Sequence, residues 1–335
     1  MAAEMAEQPA ILALIADRFR DERDRVAELI PRPFGGVAWV ARGSSDNAAL
    51  LGRYLTELAS GRPSSLVAPS LHTRYRAAVD YRDQLVVALS QSGATPEIVT
   101  TASRLLAAGG RVVAITNDPS SPLAQVAHVT LLLNAGLEIA VPATKTVTAE
   151  MLLVLAVAAA FGEERVDVDG LEHLSESVAT VLADRTSAGM LAERWVGRDR
   201  FLVLARGLLL ASAMETALKV RETTGVFAQA LSVADLLHGP IASIDQGLPV
   251  LLLDGGGPAS ADVDEVAARL TAMEVDVARC SIGPGAELPL PPGLSEPLQA
   301  VLATVRGQQL AECWARSLGL DPDAPAGLSK ITWTR

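Results

Sequence analysis

The sequence predicts an α/β chain of two similar halves, each a parallel sheet flanked by helices. Three observations predict it. Short apolar runs such as 85–89 and 111–116 alternate with helix-periodic stretches of ten or more residues, the pattern of doubly wound sheets. Half of the 335 residues are hydrophobic but only 4% are aromatic, so Val, Leu, Ile and Ala do the packing, as in sheets covered on both faces. Finally, the succession strand, Arg-Gly turn, helix over 37–58 recurs over 200–222. The recurrence is one of pattern rather than residue identity.

Taken in order, residues 7–29 carry helical apolar spacing with interleaved charges. A strand at 37–41 leads through "RGSSD" into a helix, and "SSLVAPS" reads as a second short strand. The stretch 84–118 repeats strand, loop, helix and strand, with Gly109-Gly110 as the helix stop. "HVTLLLNAG" reads as a further strand and 144–161 as a long apolar helix, its core "MLLVLAVAAAF" too short to span a bilayer. The polar stretch 162–170 suits a linker to a helix over 171–185. A second series follows: strand and helix over 200–222, strands within 247–257 and 275–283, a helix over 262–273 and a final helix over 296–318.

Bulk properties narrow the function. A net charge of −11 repels nucleic acid and anionic lipid, so neither is expected as a partner. A local anion is still allowed, because backbone N–H groups and helix ends bind phosphate. Cys280 and Cys313 have no metal-ligand spacing, and a large core needs no disulfide; with an acidic, non-export-type start, a soluble cytoplasmic chain is expected. No Walker loop, GxGxxG, HExxH or GxSxG occurs, which argues against a nucleotide-dependent enzyme, a zinc hydrolase or a serine hydrolase.

The candidate site residues lie at strand ends and on one helix. In "LSQSGATPE" the strand ends near Leu89, Thr95 is the expected N-cap and Pro96 the first helical residue. Ser90, Gln91 and Ser92 then occupy the loop at a strand's carboxyl end, where open α/β sheets bind ligands. Neutral hydroxyls and a helix N-terminus suit a phosphate; a tight serine-filled turn explains the same residues. Ser44 and Ser45 repeat the theme as expected helix caps. In "METALKVRETTG", Glu215, Lys219 and Glu222 share one helical face, opposite Met214, Ala217 and Leu218. Such a stripe reads either as a solvated ion-pair face or, at Glu222, as a base whose pKa is raised by the opposing helix dipole. His238, before Gly-Pro, and Lys330, in the tail, are isolated titratable groups that are structural unless something brings them to a site.

Together "EQPAIL", "RGSSDNA", "LSQSGATPE", "AITNDPSSPLA", "NAGLEIAVPATKT", "ARGLLLASAMETALKVRE", "LLHGPIA" and "DAPAGLSKIT" resemble the SIS (sugar isomerase) family. The resemblance runs nearly end to end and is nearest to the isomerase half of glucosamine-6-phosphate synthase and the stand-alone glucosamine-6-phosphate deaminases. It implies a homodimer of two flavodoxin-like halves and no cofactor or metal. The implied domains are an N-terminal helix (1–30), a phosphate-binding domain (31–165), a linker helix (166–195), a catalytic domain (196–320) and a closing tail (321–335). Ser45, Ser90, Gln91, Ser92 and Thr95 would ligate phosphate or nearby sugar oxygens. Val141 and Ala143 would line the pocket beside Glu138. Glu222 matches the base at sugar C2, His238 the ring-opening residue supplied by a neighbouring subunit, Lys330 the closing lysine, and Lys219 a lysine near the sugar.

Two departures bear on the chemistry. No Cys stands at position 2, so glutamine-dependent amination is not expected. Relatives read His-Ala-Glu-Ala where this chain reads "FAQA", so that Phe227 and Gln229 replace a titratable ring and a carboxylate. Three functions follow as expectations. The first is a hexosamine-6-phosphate deaminase or aldose-ketose isomerase yielding fructose 6-phosphate and ammonia. The second is a dehydratase or lyase of N-acetylglucosamine 6-phosphate that loses the C3 oxygen, and the third a non-catalytic phosphosugar sensor.

Overall fold

A computed structural model describes residues 1–330 of the chain. Among these residues ten strands form two five-stranded sheets, parallel throughout. The first holds β1 (Gly36–Val40), β2 (Ser64–Leu66), β3 (Gln84–Leu89), β4 (Arg111–Thr116) and β5 (Val129–Leu132), in the order 2-1-3-4-5. The second holds β6 (Arg200–Ala205), β7 (Phe227–Ser232), β8 (Val250–Asp254), β9 (Val277–Ser281) and β10 (Leu288–Pro289), in the order 7-6-8-9-10. Renumbered from β6, this is again 2-1-3-4-5, the flavodoxin-like order. The repeated pattern in the sequence is thus a repeated topology.

Two compact units contain these sheets. One comprises Ile11–Glu138 and Lys145–Asp167 and carries the first sheet. The other comprises Met1–Ala10, Ile139–Thr144 and Val168–Lys330 and carries the second. The last five residues of the expected closing tail, 331–335, lie outside the described residues.

In the first unit β1, β3 and β4 are almost wholly buried, as expected of apolar runs covered on both faces. Ala38, Val40, Val86, Ala88, Val112 and Ala114 pack on one face against Ile98, Ala102 and Leu105 of the helix Pro96–Ala107. The helix Ser44–Ser60 instead packs with the helix Lys145–Ala159. All fifteen residues of the latter are buried, as its apolar composition predicts. Among the described residues no helix is long and apolar enough to cross a membrane.

Gly52 sets the closeness of the helix Ser44–Ser60 to β1, since a Cβ there would lie 2.5 Å from the Trp39 ring. Gly52→Ala is therefore expected to destabilise the fold by about 1–3 kcal/mol through overpacking, measurable by urea denaturation. An unchanged midpoint would mean that Trp39 has room to move.

The second sheet departs from the sequence expectation at its edges. β7 was not legible as a strand, because "FAQALS" has only one fully buried residue and sits at the sheet's edge. β10 is two residues long. Cys280 and Cys313 fall in a strand and a helix as expected, both as free thiols, and burial pushes the Cys280 thiol up to about 12.

Candidate functional site

In a 2-1-3-4-5 sheet the chain leaves β1 and β3 toward opposite faces, which opens a crevice beyond their carboxyl ends. The two serine-rich loops lie there. β1 and β3 are neighbours in register from Gly36↔Gln84 to Val40↔Ala88. Arg42, after β1, pairs at 3.0 Å with Glu97 in the first turn after β3, tying the two loops together.

The loop after β3 is shaped by Gly93. Its φ is +60°, and a Cβ there would lie 2.2 Å from Ser121 Oγ, so only glycine fits. The Gly93 N–H donates to Ser90 O at 2.9 Å, and Gly93 O accepts from the Leu123 N–H at 3.0 Å. Gln91 O accepts from the Asn117 N–H at 3.0 Å. Thr95 is the N-cap residue as expected, with Pro96 following, but its hydroxyl makes no capping bond. It lies instead 3.4 Å from Ser90 Oγ. Ser92 Oγ accepts from the Ala94 N–H at 3.2 Å. Ser90, Gln91, Ser92 and Thr95 thus gather at the amino end of one helix, where the dipole favours negative charge.

The first loop requires a correction. Ser44 and Ser45 do not cap their helix, which begins at Ser44 with Gly43 as N-cap at φ +61°. Gly43 makes the turn, and the serines fall inside the first helical turn. Ser45 Oγ donates at 2.9 Å to Oε1 of Glu150, a buried carboxylate. Burial pushes the Asp46 carboxyl upward against the pull of Arg42.

The equivalent crevice of the second sheet, beyond β6 and β8, already holds a carboxylate. A Cβ on Gly257 would lie 2.1 Å from the Glu296 carboxyl group, and one on Gly207 3.7 Å from its Oε1. Burial and the neighbouring Asp254 charge both push Glu296 upward. The Glu296 side chain occupies this space, which leaves the first sheet's crevice as the candidate anion seat.

The helix Leu210–Thr224 overturns the solvated-face alternative. Glu215 is 2% exposed and Lys219 1%, whereas Met214 is 39% exposed, so the charged face points inward. Lys219 Nζ lies 2.5 Å from Glu222 Oε2 and 3.4 Å from Glu215 Oε1. Burial raises the pKa of Glu222, opposed by the Lys219 charge and hydrogen bond and reinforced by Glu215. Desolvation is the leading cause, where the sequence suggested the helix dipole.

In this second unit Lys330 is bonded to the segment that carries Val141 and Ala143. Lys330 Nζ donates to Ala140 O at 2.8 Å, and the Val141 N–H donates to Asp323 O at 2.9 Å. Val141 and Ala143 are half-buried. Glu138 belongs to the first unit, where its carboxylate accepts from the Thr146 N–H at 3.2 Å and hydroxyl at 2.8 Å. His238 is not brought to Glu222. It is exposed at the C-cap of the helix Val233–Leu237, and no hydrogen bond or ion pair joins the two among the described residues. Phe227 is 70% exposed on β7 and Gln229 is exposed beside it.

Two parallel sheets, each of the order 2-1-3-4-5, define a doubly wound α/β protein. Comparison with known proteins gives the family: residues 37–160 match the SIS domain, and the chain belongs to the SIS-domain family. It is 31% identical over 356 residues to a glutamine–fructose-6-phosphate aminotransferase (isomerizing) of Mycobacterium bovis, a match covering 98% of this chain and 57% of that protein. The chain thus spans little more than half the length of that curated relative. A candidate phosphosugar isomerase of Silicibacter pomeroyi superposes with a TM-score of 0.84 at 30% identity, covering 96% of this chain and 99% of that one. The glucosamine-6-phosphate deaminase of Thermotoga maritima shares the fold, with a TM-score of 0.77 at 22% identity over 99% and 100% of the two chains.

Proposed function

We propose that the chain is a sugar-phosphate-processing enzyme that acts on an amino-sugar 6-phosphate, as a deaminase and aldose-ketose isomerase. The observation that carries this reading is Glu222, a carboxylate whose burial raises its basicity while Lys219 holds it at 2.5 Å. Such a group is matched to removing a weakly acidic proton. The phosphate is assigned to Ser90, Gln91, Ser92 and Thr95, with Ser45 and Lys219 as further substrate ligands and Val141 and Ala143 as lining.

In the proposed reaction His238 opens the sugar ring, Glu222 moves the C2 proton to C1 and an amine proton passes to O1, so that the aldose amine becomes a C2 imine with a C1 hydroxyl. Water then adds to C2 and ammonia leaves, so that glucosamine 6-phosphate and water give fructose 6-phosphate and ammonia. No electrons are exchanged with an outside group. Lys330 is assigned to close over the sugar. The exposure of His238 on its own chain suits a residue offered to a neighbouring copy, and a homodimer is proposed on that ground.

Phe227 and Gln229 favour a second reading. With an acylated nitrogen no imine can form, and the C2 carbanion expels the C3 oxygen instead, making a dehydratase of N-acetylglucosamine 6-phosphate. One NMR time course with the free and acetylated substrates decides. Ammonia and fructose 6-phosphate from the free amine support the first reading, and an unsaturated product from the acetylated sugar the second. Tight binding with no turnover of either would leave a phosphosugar sensor.

The seat has its own test. Thr95→Ala removes a hydroxyl that makes no capping bond and only the long 3.4 Å contact with Ser90 Oγ, so the unfolding midpoint should move little. Affinity for the sugar phosphate should fall about tenfold, the effect of one hydrogen bond to a charged group. Calorimetry showing equal affinities would remove Thr95 from the seat.

A further inference from the structure

The motif "EQPAIL" near the amino end has no part in the function proposed above, and residues in and just before it make an unusual set of contacts. Glu4 is 7% exposed, and its Oε1 accepts the N–H of Ala140 at 3.1 Å and that of Ile139. Four residues on, the fully buried Gln8 donates through Nε2 to Gln308 Oε1 at 3.1 Å. Gln308, also fully buried, donates in turn through Nε2 to Thr144 O at 3.1 Å. All these residues belong to one compact unit. Glu4 therefore grips one end of the six-residue segment Ile139–Thr144, and Gln8, acting through Gln308, grips the other.

The gripped segment has no regular secondary structure, so its own backbone cannot satisfy its polar groups. Buried backbone donors must find partners elsewhere, and here a carboxylate supplies a charge-assisted acceptor to two consecutive N–H groups. The C-terminal stretch completes the hold through Asp323 O and Lys330 Nζ, on Val141 and Ala140. Between the two grips stand Val141 and Ala143.

We infer that Glu4 and Gln8 are positioning residues, a clasp that fixes the segment 139–144 so that Val141 and Ala143 present a fixed surface to the sugar. This rests on the proposed function only for what the segment touches. The clasp itself is a property of the fold, and the test separates the two.

Hydrogen exchange and calorimetry on wild type, Glu4→Ala, Glu4→Gln and Gln8→Ala provide it, with glucosamine 6-phosphate and inorganic phosphate as ligands. In Glu4→Ala the amides of residues 139 and 140 should exchange at least about tenfold faster, as local opening becomes easier. Glucosamine 6-phosphate should bind about tenfold more weakly, since misplaced positioning groups lose contacts to the sugar, while inorganic phosphate binds as in wild type. Glu4→Gln, which keeps a carbonyl oxygen in place, should recover most of both effects and covers the case that alanine does not fold. Gln8→Ala should weaken sugar-phosphate binding in the same selective way. Should wild type bind the sugar phosphate no better than inorganic phosphate, the functional reading fails and exchange alone decides the clasp. Unchanged exchange at 139 and 140, or equal losses for both ligands, would overturn the inference.

Discussion

Glu222→Gln is expected to lower turnover of the hexosamine 6-phosphate by roughly 10²- to 10⁴-fold, the usual contribution of a positioned base, while affinity for the substrate changes little. The glutamine has the shape of the carboxylate and leaves Lys219 an oxygen to bond, so the fold should persist. A sharper form of the test uses deuterated water: wild type should exchange the C2 proton and the variant should not. The acid side of the wild-type profile carries the same information. Because burial raises the pKa of Glu222, the active, ionised form is lost on acidification at a pH above the ordinary carboxylate range. The fall of kcat/KM should follow that raised value. Full activity in Glu222→Gln would remove the residue from the mechanism.

Legibility in the sequence followed the range over which each feature is determined. β1, β3 and β4 announce themselves as short buried runs, and the turn after β3 through its Pro96 and Thr95, because these signals are local. Helical periodicity likewise placed Glu215, Lys219 and Glu222 on one face. It did not say which face turns inward, and the burial of Lys219 and exposure of Met214 reverse the usual expectation that charge seeks water. The inward face is set by packing on the helix Glu296–Ser317, 88 positions further along the chain, where Ser212 Oγ donates to Ala300 O and Thr223 Oγ1 to Ala311 O. β7 carries no such signal, since an edge strand needs no continuous apolar run. The hold on residues 139–144 was invisible for the same long-range reason: the bonds from Glu4 cross 135 and 136 positions. Ser45 was expected as a cap and is instead bonded to Glu150, because Gly43 already makes the turn.

Lys219→Met should produce the largest loss of stability. Lys219 is 1% exposed and lies 2.5 Å from Glu222 Oε2 and 3.4 Å from Glu215 Oε1. Methionine matches its length and fills the space, but leaves two acidic groups without the cation between them. Breaking a buried ion pair by removing one partner destabilises by about 3–5 kcal/mol, and that range is expected in urea unfolding at pH 8. The sign of the pH dependence follows from linkage. Without the ammonium the folded-state pKa of Glu222, already raised by burial, rises further above its unfolded value, so the folded chain holds more protons than the unfolded one. Stability then falls as pH rises between those values and recovers on acidification. The deficit against wild type should therefore shrink from pH 8 to pH 5, and Glu215→Gln in the same chain should return a good part of it by removing one charge. A pH-independent deficit would point to packing alone. The same substitution reaches the chemistry, since Lys219, ahead of Arg221, is the chief group that pulls the pKa of Glu222 down against its burial. Removing it should move the acid limb of any residual activity to still higher pH, which a loss of packing would not do.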